Sequence, residues 1–216
     1  MDVSDKFENK LMDINQGSSS KNDIIKKFDD LADTFDEFSK GSGYTALKYC
    51  STLLSKHIPD RKANILDFGC GTGLVGEQLY QLGFQNIDGF DCAPKCLQVA
   101  ENKQIFKRLF CEFFSGQTLN LATDFYDGLI CVGGFFPSGL KANCFREWIR
   151  IVKPGGYILN AMRRSFLETC LDFNDGKLEG EMKALESDGK WKLILTEEFE
   201  AGRKEWNMIL FLHQIL

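Results

Sequence analysis

The 216-residue sequence predicts an α/β fold: a mostly parallel sheet, covered by helices on both faces, that closes on an antiparallel hairpin. Three observations carry this. From Asn64 onward, short apolar runs alternate with helical periodicity, which implies parallel strands joined by crossover helices. A glycine-rich turn joins the first of these strands to the first of these helices. The stretch from Trp191 to Leu216 reads as two strands around a turn at Ala201-Gly202-Arg203.

Each element has its own justification. Residues 1–20 carry a short apolar face (Phe7, Leu11, Ile14) and end in Gly17-Ser18-Ser19-Ser20, a composition expected of a flexible tail. Ile24, Phe28, Leu31, Phe35 and Phe38 then recur at i, i+4, i+7, i+11 and i+14, one stripe that predicts a single helix, stopped by Gly41-Ser42-Gly43. A second helix is expected from Tyr44 to Lys56, ahead of Pro59. "NILDFGC" is a buried strand, and "GLVGEQLYQLG" a helix with Val75, Leu79 and Leu82 on one face and Gly83 as its stop. "NIDGFD" is the second strand, followed by a helix with Pro94 in its first turn. "FKRLFCEFF" and "FYDGLICVGGFF" are the third and fourth strands. "KANCFREWIRIV" is a helix, "GGYILNAM" the fifth strand, and Arg164 to Asp188 is helical at least in part.

Composition narrows the function. A net charge of −5 argues against an electrostatic grip on nucleic acid, and Lys26-Lys27, Arg61-Lys62 and Arg163-Arg164 read as solvated surface pairs. No stretch approaches the length of a membrane-spanning helix, and the acidic start lacks the apolar core of a secretory signal. A reducing, cytoplasmic setting is therefore expected, with no membrane partner. The eight cysteines are read as reduced and structural, several of them lying inside apolar patterns. No metal site is expected, since Cys92-x-x-x-Cys96 lacks the ligand sets that zinc needs.

The most informative run is Asp67-Phe68-Gly69-Cys70-Gly71-Thr72-Gly73. Glycines at a strand-to-helix turn let a ligand approach the main chain, and the helix that follows offers free N–H groups to an anion. Asp91, eighteen residues after Gly73 and at the end of the second strand, is placed to accept from both hydroxyls of an adenosine ribose. The plainer reading is a tight turn, with Asp91 capping the next helix. Gly71-x-Gly73-x-x-Gly76 also satisfies the dinucleotide pattern, so the loop taken alone admits a nicotinamide cofactor. The Asp-x-Gly-x-Gly-x-Gly order and the closing hairpin point away from it.

With "ILDFGCGTGLVGEQL", "IDGFDCAPKCLQVA", "YDGLICVGGFF" and "IVKPGGYIL" in this order, the chain resembles the class I S-adenosylmethionine-dependent methyltransferases. Upstream, "FDDLADTFDEF" with Gly43-Tyr44 resembles the lead-in of small-molecule methyltransferases, Phe28 and Phe35 standing where two other aromatics are usual. From Ile65 to Phe166 it is similar to the group around the methyltransferase-like protein of the Williams–Beuren syndrome deletion region. The resemblance implies a Rossmann-like seven-stranded sheet and a single domain over 21–216, with a helical N-terminal lid at about 21–60. It further implies S-adenosylmethionine as cofactor and S-adenosylhomocysteine as product. Gly69, Cys70 and Gly71 would line the methionine part, Thr72 and Gly73 completing the loop, with Asp67 near the ammonium. Asp91 would hold the ribose, with Cys92 beside the adenine. Gly133 and Gly134 would edge the transfer site, and Tyr44 would close over the cofactor. After the third strand, Cys111, Glu112 and Phe113 stand where many relatives place an Asp for the adenine amine.

The sequence names no catalytic base. His57 and His213 lie in no motif and are read as surface or core. Phe135 and Phe136 suit either the floor of an apolar acceptor pocket or the core, and Phe28, Phe35 and Phe38 carry the same two readings, with core favoured for most. Arg163 and Arg164 suit an anionic acceptor or, with more weight, the surface. The function expected is methyl transfer to a small molecule. A non-catalytic S-adenosylmethionine-binding regulator, a protein methyltransferase and a nicotinamide oxidoreductase are the alternatives.

Overall fold

The structure is a computed structural model that describes residues 20–202 and 206–216. The predicted tail, and Arg203 of the predicted turn, lie outside these residues. Ser20 opens the first helix, α1 (Lys21–Asp29), through a capping box: its hydroxyl accepts from the Asp23 N–H while the Asp23 carboxylate accepts from the Ser20 N–H. The single helix expected over 24–38 is in fact two. After α1 the chain tightens, with Leu31 N–H donating to Phe28 O at 3.0 Å, and restarts as α2 (Ala32–Gly41). The break lets one apolar stripe serve two surfaces. Phe28 and Ala32 pack on Ala93 and Cys96, while Leu31 and Phe35 pack with Phe136.

Helix α3 (Ala46–His57) leads into the sheet, whose elements alternate as the sequence predicts: β1 (Asn64–Phe68), α4 (Leu74–Gln81), β2 (Asn86–Asp91), α5 (Pro94–Asn102), β3 (Arg108–Cys111), β4 (Tyr126–Val132), α6 (Cys144–Ile151) and β5 (Val152–Arg163). The third strand is shorter than its apolar run, because the chain leaves the sheet at Cys111 to carry Glu112–Phe114 over the strand ends. Between Arg164 and Asp188 only α7 (Phe166–Thr169) and α8 (Lys177–Ser187) are helical. Strands β6 (Trp191–Glu200) and β7 (Asn207–Ile215) pair antiparallel, as expected of the hairpin.

The sheet has seven strands in the order β3-β2-β1-β4-β5-β7-β6. The first five are mutually parallel, and β7 is antiparallel to both its neighbours. Alternation along each strand divides the core in two. Leu66, Phe68, Leu129 and Ile158 face α6 and α8, where Trp148 and Phe145 are buried. Ile65, Ile130, Leu159 and Ala161 face α3 and α4. Because the order reverses direction between β1 and β4, the loops leaving their carboxyl ends diverge and open a crevice there.

Candidate functional site

A cavity of about 270 Å³ occupies that crevice. Its floor is the loop after β1 (Gly69–Thr72), with Asp91 and Cys92 after β2, Glu112–Phe114 after β3 and Val132–Phe136 after β4. Arg163, at the end of β5, closes the far side. Phe28, Phe35 and Phe38 of α1 and α2 cover it, and Tyr44, Trp206 and Met208 complete the wall.

The glycine loop hangs from the end of β2. Phe90 O accepts from the N–H groups of Gly69 (2.7 Å) and Cys70 (3.1 Å), and the Asp91 carboxylate accepts from Gly71 N–H (2.8 Å) and Ala93 N–H (2.9 Å). The reading of Asp91 as a helix-capping residue is thus part of the answer. It holds both the loop and the entry to α5, while still lining the cavity. Burial pushes its carboxyl above the ordinary range, with the backbone donors opposing the shift.

The glycines divide into two kinds. Gly69 (φ 79°) and Gly71 (φ 52°) are left-handed, and a Cβ on either would meet nothing within 4 Å, so their backbone faces open space. A Cβ on Gly73 or Gly76 would instead lie 2.7 or 2.3 Å from the Phe106 ring. These two let α4 pack closely and do not line the cavity.

Asp67 also lies outside the cavity lining. Only 1% exposed, it reaches beneath the loop to accept from Gly76 N–H at 3.1 Å, satisfying a donor in the first turn of α4. Its other carboxylate oxygen has no partner among the described residues. Burial is the main cause that raises its pKa to about 8, with the Gly76 donor opposing and the nearby Asp91 charge adding. An Asp pKa raised on folding means the folded state holds the proton longer. Its contribution to stability is then full below about pH 4, where the unfolded chain also keeps the proton, and is lost as pH rises to about 8. Asp67→Asn is therefore expected to flatten stability between pH 5 and 8 and to gain on the natural protein toward the upper end. Urea unfolding midpoints of the two proteins across that range measure this, and parallel pH profiles would refute it.

The remaining predicted residues fall as follows. Tyr44, Cys70, Thr72, Cys92 and Gly133 all line the cavity. Thr72 is buried and donates to Asp36 of α2 at 2.6 Å. Asp36 is also paired with Lys103 after α5, so the helices over the cavity are tied to its floor by charge as well as by apolar contact. Tyr44 stacks edge-on against Trp206 at 5.3 Å, and burial pushes its phenol pKa up. Glu112 and Phe113 line the cavity where an adenine-binding acid was sought, whereas Cys111 is exposed. Phe28, Phe35 and Phe38 line it while also packing together, so the core reading and the pocket reading both describe them.

Neither histidine lines the cavity. His213 is buried against Trp191 at 4.1 Å, which lowers its pKa to about 4, and His57 lies against Tyr157. All eight cysteines are unpaired, and burial holds the thiols of Cys50 and Cys92 up at about 12, too high for a nucleophile.

Three further positions depart from the sequence reading. Arg163 was weighted toward the surface, but its place at the end of β5, one strand beyond Gly133, turns it into the cavity. Arg164, by contrast, is at the surface as expected, bound to Glu198 and Glu168. Trp206 and Met208 went unrecognised because the start of β7 is far from the glycine loop in sequence and reaches the cavity only through pairing with β5.

Comparison with known proteins agrees with this geometry. The methyltransferase-domain family model matches residues 65–156. Human methyltransferase-like protein 27 is 28% identical over 138 residues, covering 64% of this chain and 55% of that protein. The mitochondrial ubiquinone biosynthesis O-methyltransferase of Dictyostelium discoideum is 28% identical over 137 residues, covering 56% and 43%. The chain thus spans about half the length of these relatives. Among solved structures, the (4+2)-cyclase SpnF superposes with a TM-score of 0.71 at 11% identity, over 92% of this chain and 97% of that one, a likeness of fold alone. With the seven-stranded sheet and the glycine loop in place, residues 65–156 match a methyltransferase domain, and the chain is similar in sequence and fold to the class I S-adenosylmethionine-dependent methyltransferases.

Proposed function

We propose that this chain binds S-adenosylmethionine in the cavity above β1 and β2 and methylates a small-molecule acceptor held toward β4 and β5. The observation that carries the reading is the enclosed, largely apolar cavity that runs from Asp91 past Gly133 to Arg163 under α1 and α2. The residues fit the cofactor. Gly69 and Gly71 leave a cradle of bare backbone, and Asp91 stands at its far end with lone pairs to spare for a ribose. Cys92, Glu112 and Phe113 would flank the adenine.

The cofactor supplies an electrophilic methyl group, so the protein's part is alignment and the exclusion of water. The aromatic cover does the second. Tyr44, Phe38 and Trp206 bring apolar walls to the acceptor side, while α1 and α2 form a lid latched by Asp36. Cys70, Cys92 and Cys96 are kept as thiols by burial and by the Asp91 charge, which protects them from alkylation beside a reactive methyl. No histidine lines the cavity, and its carboxylates Asp91 and Glu112 lie at the cofactor end, so an acceptor that needs little proton removal fits best. The roofed cavity favours a small acceptor over a protein segment. The unpaired cysteines fit a reducing, cytoplasmic setting, and among the described residues no helix is long and apolar enough to cross a membrane.

Calorimetric titration with S-adenosylmethionine, S-adenosylhomocysteine and NAD tests the reading. Micromolar binding of the first two and none of NAD is expected. NAD binding, or no binding by any of them, would overturn it.

A further inference from the structure

The charges in the cavity are segregated. Asp91 and Glu112 lie at the β2–β3 end, and Arg163, the only cation of the lining among the described residues, lies at the β5 end. Two strand spacings, about 10 Å, separate β5 from β1, so Arg163 stands across β4 from the glycine cradle. Ala161, two residues before it, accepts from Gly133 N–H at 2.8 Å, which ties the end of β5 to the edge of the cofactor region. Alternation along β5 puts Arg163 on the face of Leu159 and Ala161, below Tyr44 and Trp206.

Its surroundings there are apolar. Phe38, Tyr44, Phe166, Trp206 and Met208 line the same end of the cavity. Among the described residues no carboxylate pairs with Arg163, although Arg164 beside it holds two. A half-buried guanidinium facing apolar walls without a counter-ion is costly, and a bound anion removes that cost. A guanidinium matches a carboxylate with two parallel hydrogen bonds and stays charged at every relevant pH.

Building on the methyl-transfer reading of this cavity, we infer that Arg163 is the anchor for an anionic acceptor: a small molecule with an apolar body and one carboxylate. The anion is the handle and not the methylated atom, because a guanidinium held in two parallel hydrogen bonds draws charge from both carboxylate oxygens and makes them poorer nucleophiles. Arg163 thus selects substrates by charge while the aromatic walls select them by shape.

The test uses the protein saturated with S-adenosylhomocysteine. 3-Phenylpropionate, octanoate and 4-hydroxybenzoate are titrated calorimetrically, each against its own primary amide. At least one acid is expected to bind about tenfold or more tightly than its amide, as charged hydrogen bonds require. R163Q is expected to abolish that preference, R163K to retain part of it, and R164Q to retain all of it. Affinity for S-adenosylhomocysteine should be unchanged in R163Q. Equal binding of acids and amides, no binding of any acid, or a preference that survives in R163Q would overturn the assignment. A matching loss of S-adenosylhomocysteine affinity in R163Q and R163K would assign Arg163 to the cofactor's own carboxylate instead. If the natural protein fails to bind S-adenosylhomocysteine at all, the methyl-transfer reading falls and this inference with it. If it binds but shows no preference for acids, only the inference falls.

Discussion

Asp91→Ala is expected to weaken S-adenosylhomocysteine binding by at least about tenfold, with the protein still folded. Hydrogen bonds from ribose hydroxyls to a carboxylate are charge-assisted and contribute about 1.5–3 kcal/mol. The structure adds a second cause. The same carboxylate holds Gly71 N–H at 2.8 Å and Ala93 N–H at 2.9 Å, so its removal also loosens the cradle on which the ligand rests. Asp91→Asn should lie between, keeping one oxygen acceptor while losing the charge. Burial raises the Asp91 pKa, so ligand affinity should fall as pH drops through that raised value, and the alanine variant should lose this dependence. Calorimetry at two pH values, with circular dichroism to verify folding, measures all of it. Unchanged affinity in a folded variant would place the ribose elsewhere.

Trp148→Ala is expected to cost about 3–5 kcal/mol of stability, a large share of what a domain of this kind has. Trp148 is fully buried on α6, with its ring 5.4 Å from Phe68, 5.8 Å from Phe135 and 5.7 Å from Phe145. Phe68 and Phe135 present their other sides to the cavity, so the variant removes the support behind the site as well as core volume. The indole N–H has no hydrogen-bond partner among the described residues, so Trp148→Phe deletes an unsatisfied buried donor and should cost much less than alanine. Urea unfolding distinguishes the two. An alanine variant within about 1 kcal/mol of the natural protein would mean that the core collapses around the gap.

The parts legible in sequence are those encoded locally. Alternating apolar periods placed the parallel strands, and the spacing of Gly69, Gly71 and Asp91 marked three residues that line the cavity. The wrong or coarse readings have a common origin. The stripe from Ile24 to Phe38 has perfect helical spacing, but periodicity cannot report a break that serves two packing partners on other elements. The run from Phe106 to Phe114 is rich in apolar residues at both ends because its first residue packs on Gly73 and Gly76 and its last line the cavity, with only Arg108–Cys111 in the sheet. Asp67 stands in the loop motif, yet the pleat points it under the loop to Gly76 N–H.

The sequence by itself determined the order of elements, the antiparallel close and the glycine loop that floors the cavity, because these depend on period-2 and period-3.6 patterns and on backbone angles that glycine alone adopts freely. Only the tertiary structure decided what lines the β5 end of the cavity. Arg163, Trp206 and Met208 meet Tyr44 and Phe38 there because β7 pairs antiparallel with β5 under the N-terminal helices. That meeting of residues up to 170 positions apart is set by sheet order and packing, for which no local pattern exists.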